Sequence, residues 1–214
     1  MTHNQDIKAL RKNYSSAQLN ENGVNENPIV QFRSWFHQAM KAELQEPNAM
    51  CLSTCNDNIP DSRIVLLKSI EDDGFVFFTN YGSNKGQQIA SNPNVSLNFV
   101  WLELERQVRI QGVAEKISQA ESEAYFYSRP FESQIGAIIS AQSQYLENRE
   151  MLEIAMQNAL EKYKTEKPQI PEHWGGYIVK PLAIEFWQGR SNRLHDRLQY
   201  YLQNGIWNLK RLYP

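Results

Sequence analysis

The feature that most constrains this chain is a change of hydrophobic period near residue 49. From there to about residue 117, apolar residues stop recurring at helical spacing and gather in short β-branched or aromatic runs. Ala49 to Asn56 reads as a strand. Arg63 to Ile70 and Phe75 to Thr79 are two further runs, joined by Glu71-Asp72-Asp73-Gly74, a hairpin signal. Val95 to Glu103 and Gln107 to Ile117 complete the set. One short helix interrupts them, opening after Ser83 and stopping at Pro93. Short connections leave no room for the crossovers that parallel strands need. The expectation is an antiparallel barrel or sandwich with flanking helices rather than a doubly wound sheet.

Helical signals flank this region. Asn27-Pro28 is an N-cap followed by proline at the first helical position. Ile29, Phe32, Phe36, Ala39 and Met40 then recur on one face, and the helix should end before Pro47. Ser118-Gln119-Ala120-Glu121 matches a capping box for a helix to about Ser128, which Pro130 ends. Ser133 to Ser140 and Tyr145 to Lys164 are two more candidate helices. Strands return at Gly176 to Val179, Ile184 to Gln188, and Leu198 to Leu212 folded at Asn204-Gly205. Residues 1–26 are polar and read as a mobile arm. No linker or repeat follows, so residues 27–214 are expected to form one domain.

Composition removes several classes of function. Of the 214 residues 41% are hydrophobic, enough for a core, and the net charge of -2 advertises no nucleic-acid surface. Apolar stretches such as Ile64 to Leu67 are far too short to cross a bilayer, and Met1 to Tyr14 has no apolar signal core. Cys51 and Cys55 lie four apart, about 13 Å along a strand, beyond disulfide reach. Both are expected as reduced thiols in a cytoplasmic protein. His3, His37, His173 and His195 show no metal-ligand spacing, so no metal is expected.

Three polar clusters interrupt segments that otherwise read as core. Arg63 and Lys68 bracket Ile64-Val65-Leu66-Leu67, on opposite faces if the strand is continuous; two rim charges would look the same. Ser83-Asn84-Lys85-Gly86 sits where a turn enters a helix, a place for an anion or an ordinary cap. Tyr125 and Arg129 share a helix face, with Ser133 just past the Pro130 turn, and such groups can converge on a phosphate. From spacing alone, a helix end with surface hydrogen bonds is the preferred reading. The run from Trp187 to Arg197 carries three arginines and His195. Extended, it would put Arg193, His195 and Arg197 on one side, where they repel unless something anionic stands opposite.

Taken in order, these segments resemble the pyridoxine (pyridoxamine) 5'-phosphate oxidases. The matching stretches are Arg63 to Lys68, Glu105-Arg106-Gln107-Val108, Ser128-Arg129-Pro130 with Ser133-Gln134-Ile135-Gly136, Gln142-Ser143 and Trp174-Gly175-Gly176. The most specific are Ile184-Glu185-Phe186-Trp187-Gln188-Gly189 and Arg193-Leu194-His195-Asp196-Arg197. The likeness runs from about Leu10 to Pro214.

The resemblance implies an antiparallel split β-barrel of the FMN-binding type, a homodimer with FMN at the subunit interface. It implies oxidation of pyridoxine and pyridoxamine 5'-phosphates by O2, with H2O2 as by-product. Position by position, Arg63, Lys85 and Ser143 would serve the FMN phosphate. Asn84 would stand beside that phosphate, and Ile64, Val65, Leu66, Leu67, Lys68, Phe78, Thr79, Gln107, Gln142, Trp187 and Arg197 would line the rest of the cofactor site. Lys68, Tyr125, Arg129 and Ser133 would hold the substrate phosphate. Arg193, Leu194 and His195 would cover the substrate ring, with Arg193 and His195 nearest the chemistry. Arg11 and Tyr14 match an arm that closes over the site. Asn84 stands where the family usually has arginine, and Phe78 where tyrosine is common. Rival implications are a flavin reductase of the same fold and a non-catalytic binder of FMN or pyridoxal phosphate.

Overall fold

Two adjacent residues with left-handed backbone set the first hairpin. In the computed structural model, which describes residues 12–214, β1 (Ala49–Asn56) and β2 (Ile59–Leu66) pair from Ala49↔Leu66 to Asn56↔Ile59. Asp57 and Asn58 join them at φ 49° and 62°. Short polar side chains tolerate this region, and a turn of this hand follows strand twist. The single strand expected from Arg63 to Ile70 is therefore two. β2 ends at Leu66, and β3 (Ser69–Ile70) pairs with β4 (Phe75–Asn80) around the expected turn. At the break the Leu67 N–H donates to the Asn48 carbonyl, and the Lys68 N–H turns to the Val76 carbonyl, both at 2.8 Å. Alternation cannot be counted across such a change of partner, so the opposite-face argument for Arg63 and Lys68 fails.

The remaining strands are β5 (Asn94–Trp101), β6 (Arg106–Lys116), β7 (Trp174–Gln188), β8 (Asp196–Gln203) and β9 (Ile206–Arg211). The nine form an antiparallel sheet in the order β2-β1-β5-β6-β7-β4-β3, with β8 between β7 and β9. Two strands were expected where β7 is one. Its first part, from Trp174, pairs with β4, and its last, from Ala183, with β8. Pro181 falls between those two ladders, so its missing N–H breaks neither. The β8–β9 hairpin turns at Asn204-Gly205, with φ 52° and 78°.

The chain divides into two compact units. One holds the described residues up to Pro47 with Asn98–Ile110 and Ala183–Pro214; the other is Asn48–Leu97 with Gln111–Leu182. In the first, α1 (Pro28–Lys41) opens on the Asn27 side chain, which accepts the Ile29 N–H at 2.8 Å. It buries Ile29, Phe32, Trp35 and Ala39, a helical stripe. Phe32 meets Phe99 at 4.9 Å and Trp35 meets Phe186 edge-on at 5.1 Å between ring centres. Truncating such a ring to alanine costs about 3–5 kcal/mol.

In the second unit Met50, Leu52, Phe75, Phe77, Leu97 and Val179 are fully buried. Three helices follow their caps: α2 (Asn84–Ser91) on Ser83, α3 (Gln119–Ser128) on the Ser118–Glu121 box, and α5 (Arg149–Lys162) on Asn148. α4 (Phe131–Ile139) starts behind Pro130. A β-carbon on Gly86 would sit 2.2 Å from the Tyr81 carbonyl oxygen, so α2 can enter only with glycine there. Both cysteines are free thiols on β1. Among the described residues no helix is long and apolar enough to cross a membrane.

Candidate functional site

The larger candidate site is a cavity of about 650 Å³ in the second unit, open where β2 breaks and α3 ends. Lys68 enters it because the chain leaves β2 just before. Arg129 enters because the following proline turns its backbone extended, at φ -76° and ψ 153°. The Gln134 side-chain amide donates to the Arg129 carbonyl at 2.9 Å and fixes that turn. Tyr125 and Ser133 line the same cavity as Arg129. Phe78, Tyr125 and Trp174 stack nearly parallel, with 3.9 Å between the first two ring centres and 5.5 Å between Phe78 and Trp174.

The charges in this cavity are one-sided. Lys68, Lys85 and Arg129 line it, and among the described residues no aspartate or glutamate does. The Arg129 guanidinium lies 4.9 Å over Trp174, and its Nη1 is buried without a hydrogen-bond partner. Burial presses its pKa below the ordinary value, with Tyr125 opposing. Lys85 Nζ donates to Ser83 Oγ at 3.2 Å and to Gln142 Oε1 at 3.1 Å. Burial first, then the charge of Arg63, lowers its pKa. Such cations are destabilised until an anion meets them. A phosphate fits the orphaned Nη1, and a planar ring system fits the aromatic and aliphatic walls.

Most of the residues assigned to this region converge here: Ile64, Val65, Leu66, Lys68, Phe78, Thr79, Lys85, Tyr125, Arg129, Ser133 and Gln142. Leu67 is buried and does not line the cavity. Arg63 stands apart, its guanidinium donating to Asp61 Oδ2 and Thr54 Oγ1 at 2.6 Å and to Gln88 Oε1 at 2.9 Å. Asn84 is exposed on the first turn of α2 and Ser143 is exposed at φ 71°; neither lines the cavity. Trp174, which the sequence shows only within the Trp174-Gly175-Gly176 motif, lies under Arg129, a contact between distant segments that leaves no spacing signal.

The first unit holds the other assigned residues. Tyr14, Gln107 and Trp187 line a cavity of about 310 Å³. Tyr14 meets Trp187 edge-on at 5.8 Å, and His195 lies 4.6 Å from Trp187 and 5.8 Å from Tyr14. A β-carbon on Gly189 would come within 2.7 Å of the Tyr14 ring, so glycine makes room for that ring. His195 Nδ1 accepts the Arg190 N–H at 3.1 Å, which leaves the ring proton on Nε2. Burial, then Arg193, pushes the His195 pKa down, so it is neutral near pH 7. Arg11 lies outside the described residues.

The extended alternation expected of Arg193, His195 and Arg197 is not what forms. Ser191–Arg193 make a tight turn with Asn192 and Arg193 at φ 57° and 61°, leaving Arg193 and Leu194 exposed. β8 begins only at Asp196. The anion expected opposite the arginines comes from the chain itself. Arg197 forks onto buried Glu185 at 2.8 and 3.1 Å, with Arg109 at 3.4 Å. That hydrogen bonding raises the Arg197 pKa. Asp196 meets Arg190 at 3.3 Å and Arg211 at 2.8 Å. Glu185 and Glu105 lie within the family motifs, and their charge partners are not legible there because a carboxylate's partner across a sheet leaves no spacing signal.

Fold and cavity define the class first: a split-barrel protein with a cationic, aromatic-walled cleft. A solved structure of PhzG from Burkholderia lata 383, in complex with tetrahydrophenazine-1-carboxylic acid, superposes with a TM-score of 0.87 at 28% identity, covering 94% of this chain and 100% of that one. A pyridoxamine 5'-phosphate oxidase-related, FMN binding protein from Nostoc punctiforme shares the fold, with a TM-score of 0.70 at 16% identity over 86% of this chain and 97% of that one. The family model for pyridoxamine 5'-phosphate oxidase matches residues 36–163, and that for the pyridoxine 5'-phosphate oxidase C-terminal dimerisation region matches 174–214. A pyridoxine/pyridoxamine 5'-phosphate oxidase of Gloeothece citriformis is 53% identical over 98% of this chain and 99% of its own length. One of Hydrogenovibrio crunogenus is also 53% identical, over 98% and 99%. The chain belongs to the pyridoxine/pyridoxamine 5'-phosphate oxidase family.

Proposed function

We propose that this protein is an FMN-dependent oxidase that converts pyridoxamine 5'-phosphate and pyridoxine 5'-phosphate to pyridoxal 5'-phosphate, releasing H2O2 and, from the amine, ammonia. The observation that carries the reading is the cavity of about 650 Å³: three cations, no carboxylate among the described residues that line it, an orphaned guanidinium nitrogen and stacked aromatic walls. FMN, when bound, supplies the two-electron acceptor for the hydrogen lost from the substrate's C4' carbon, with O2 taking the electrons onward. The chain's own task is positioning. Lys68, Tyr125, Arg129 and Ser133 hold the substrate phosphate. Lys85, which lines the same cavity, holds the FMN phosphate. Thr79 and Gln142, on that cavity, contact the rest of the flavin. A neutral His195, with Arg193, covers the substrate ring without acting as an obligatory base.

The functional unit in this reading is a cytoplasmic homodimer with FMN at the subunit interface, each chain one split-barrel domain behind an N-terminal arm. The match of residues 174–214 to a C-terminal dimerisation region supports the dimer. Oxidation of a carboxylated polycycle is a second reading, supported by the likeness to PhzG. The full-length relatives at 53% identity favour the phosphate esters. The test is peroxide production in air from both esters by purified, FMN-loaded protein, with a reduced phenazine carboxylate as the competing substrate. A yellow protein that oxidises neither ester overturns the reading; a protein that stays colourless in excess FMN removes its premise.

A further inference from the structure

We propose that Glu105 is a positioning residue that fixes Tyr14 against Trp187 and His195 by clamping the segment that carries Tyr14. The inference rests on the functional reading above, with Tyr14 in the arm that the family resemblance closes over the substrate, and on geometry alone for the clamp. Glu105 Oε2 accepts three hydrogen bonds from consecutive residues: the Ser15 N–H at 2.8 Å, the Ser16 N–H at 3.0 Å and the Ser16 hydroxyl at 2.8 Å. Lys12 Nζ stands 3.9 Å from Oε1. The Glu105 side chain is only 6% exposed. A buried carboxylate is costly unless its charge is met. Among the described residues, every group that meets it belongs to residues 12–16.

The backbone of Glu105 is tied to the opposite partner. Its carbonyl accepts the Gly189 N–H at 2.7 Å and the Gln188 side-chain amide at 3.2 Å. Those residues follow Trp187 directly. One residue thus grips the strand end bearing Trp187 through its main chain and the arm bearing Tyr14 through its side chain. It does so in a left-handed conformation, φ 55° and ψ 40°, uncommon for glutamate. Such a conformation persists where surrounding bonds over-determine it, commonly at working sites. Gly189 completes the fit, since a β-carbon there would press on both Tyr14 and Glu105, at 2.7 and 3.0 Å. Burial alone would raise the Glu105 pKa. The Ser16 and Ser15 bonds with the Lys12 charge outweigh that and hold it below the ordinary carboxylate value.

The experiment compares wild type, Glu105→Gln and Ser16→Ala, all FMN-loaded. Hydrogen exchange is read at the Ser15 and Ser16 amides, and KM and kcat with pyridoxine 5'-phosphate. Losing the charge-assisted bonds should speed exchange at both amides about tenfold or more in Glu105→Gln. KM should rise by roughly three- to thirtyfold with kcat moving less, because Tyr14 acts on capture. Ser16→Ala, which leaves Glu105 itself intact, should shift both readouts the same way by less. Unchanged exchange in both variants overturns the clamp. Faster exchange with unchanged KM overturns the positioning role. If wild type oxidises neither ester, the functional reading has failed, and the exchange arm alone still decides whether the clamp exists.

Discussion

Replacing Arg129 by methionine tests whether the larger cavity is a phosphate site. Methionine keeps the length and apolar stem and removes only the guanidinium. In the free protein that group has a buried Nη1 with no partner, a cost of about 1–3 kcal/mol. Its place 4.9 Å over Trp174 returns about 0.5–2 kcal/mol. The two nearly offset, so the unfolding midpoint should stay within about 3 °C of wild type. With a phosphate bound, the guanidinium gains a charge-assisted hydrogen bond of about 1.5–3 kcal/mol, and losing it should raise KM roughly ten- to 150-fold. FMN affinity should change less than threefold or so, since Lys85 and its neighbours serve that phosphate. The assay is steady-state peroxide production with both esters, FMN titration of apoprotein and a thermal melt. A large fall in midpoint with KM unchanged would make Arg129 structural. Equal losses in FMN and substrate affinity would merge the two phosphate sites into one.

Three further outcomes are expected. Lys85→Ala should loosen FMN at least about tenfold, whereas Asn84→Arg, on an exposed position outside the cavity, should tighten it only slightly and lose that gain in high salt; a large salt-resistant gain would put residue 84 on the phosphate. Glu185→Gln turns an amide toward Arg197 and should cost about 1–3 kcal/mol, a fall of several degrees in the melt; an unchanged midpoint would show that the pair adds nothing. Arg211, hydrogen-bonded to Glu21, pulls the Glu21 pKa from 4.5 to about 2. The folded value lies below the unfolded one, so this contribution is full above about pH 4.5 and lost as pH falls toward 2. Both side chains are more than a third exposed, so it should stay well under about 1 kcal/mol. Protection of the amides at residues 19–21, corrected for the intrinsic exchange rate at each pH, should fall between pH 5 and pH 3 in wild type but not in Arg211→Ala; identical pH responses would remove the ion pair from the explanation.

Devices that close within a few residues were legible. Asn27-Pro28, Ser83 and the Ser118–Glu121 box placed helix starts because a cap is a bond between a side chain and a backbone two or three residues away. Asn204-Gly205 placed a hairpin because both residues reach positive φ cheaply. Tyr125, Arg129 and Ser133 could be brought together for the same reason: one helix face and one proline turn join them. Asp57-Asn58 carried the same kind of signal and went unread beside the stronger apolar runs.

The structure alone decided where partners change. β2 stops at Leu66 because Leu67 bonds back to Asn48 while Lys68 bonds forward to Val76, a choice between ladders that no local propensity records. β7 runs through Pro181 because its pairing moves from β4 to β8 around that residue. The charges follow the same rule. Sequence supplied the arginines of the 187–197 loop and the demand for an anion, but Glu185 meets Arg197 and Arg109 across a sheet, and Glu105 meets Ser15 and Ser16 across about ninety residues of chain. A buried charge must find its counterpart in space, and that distance exists only once the strands have paired.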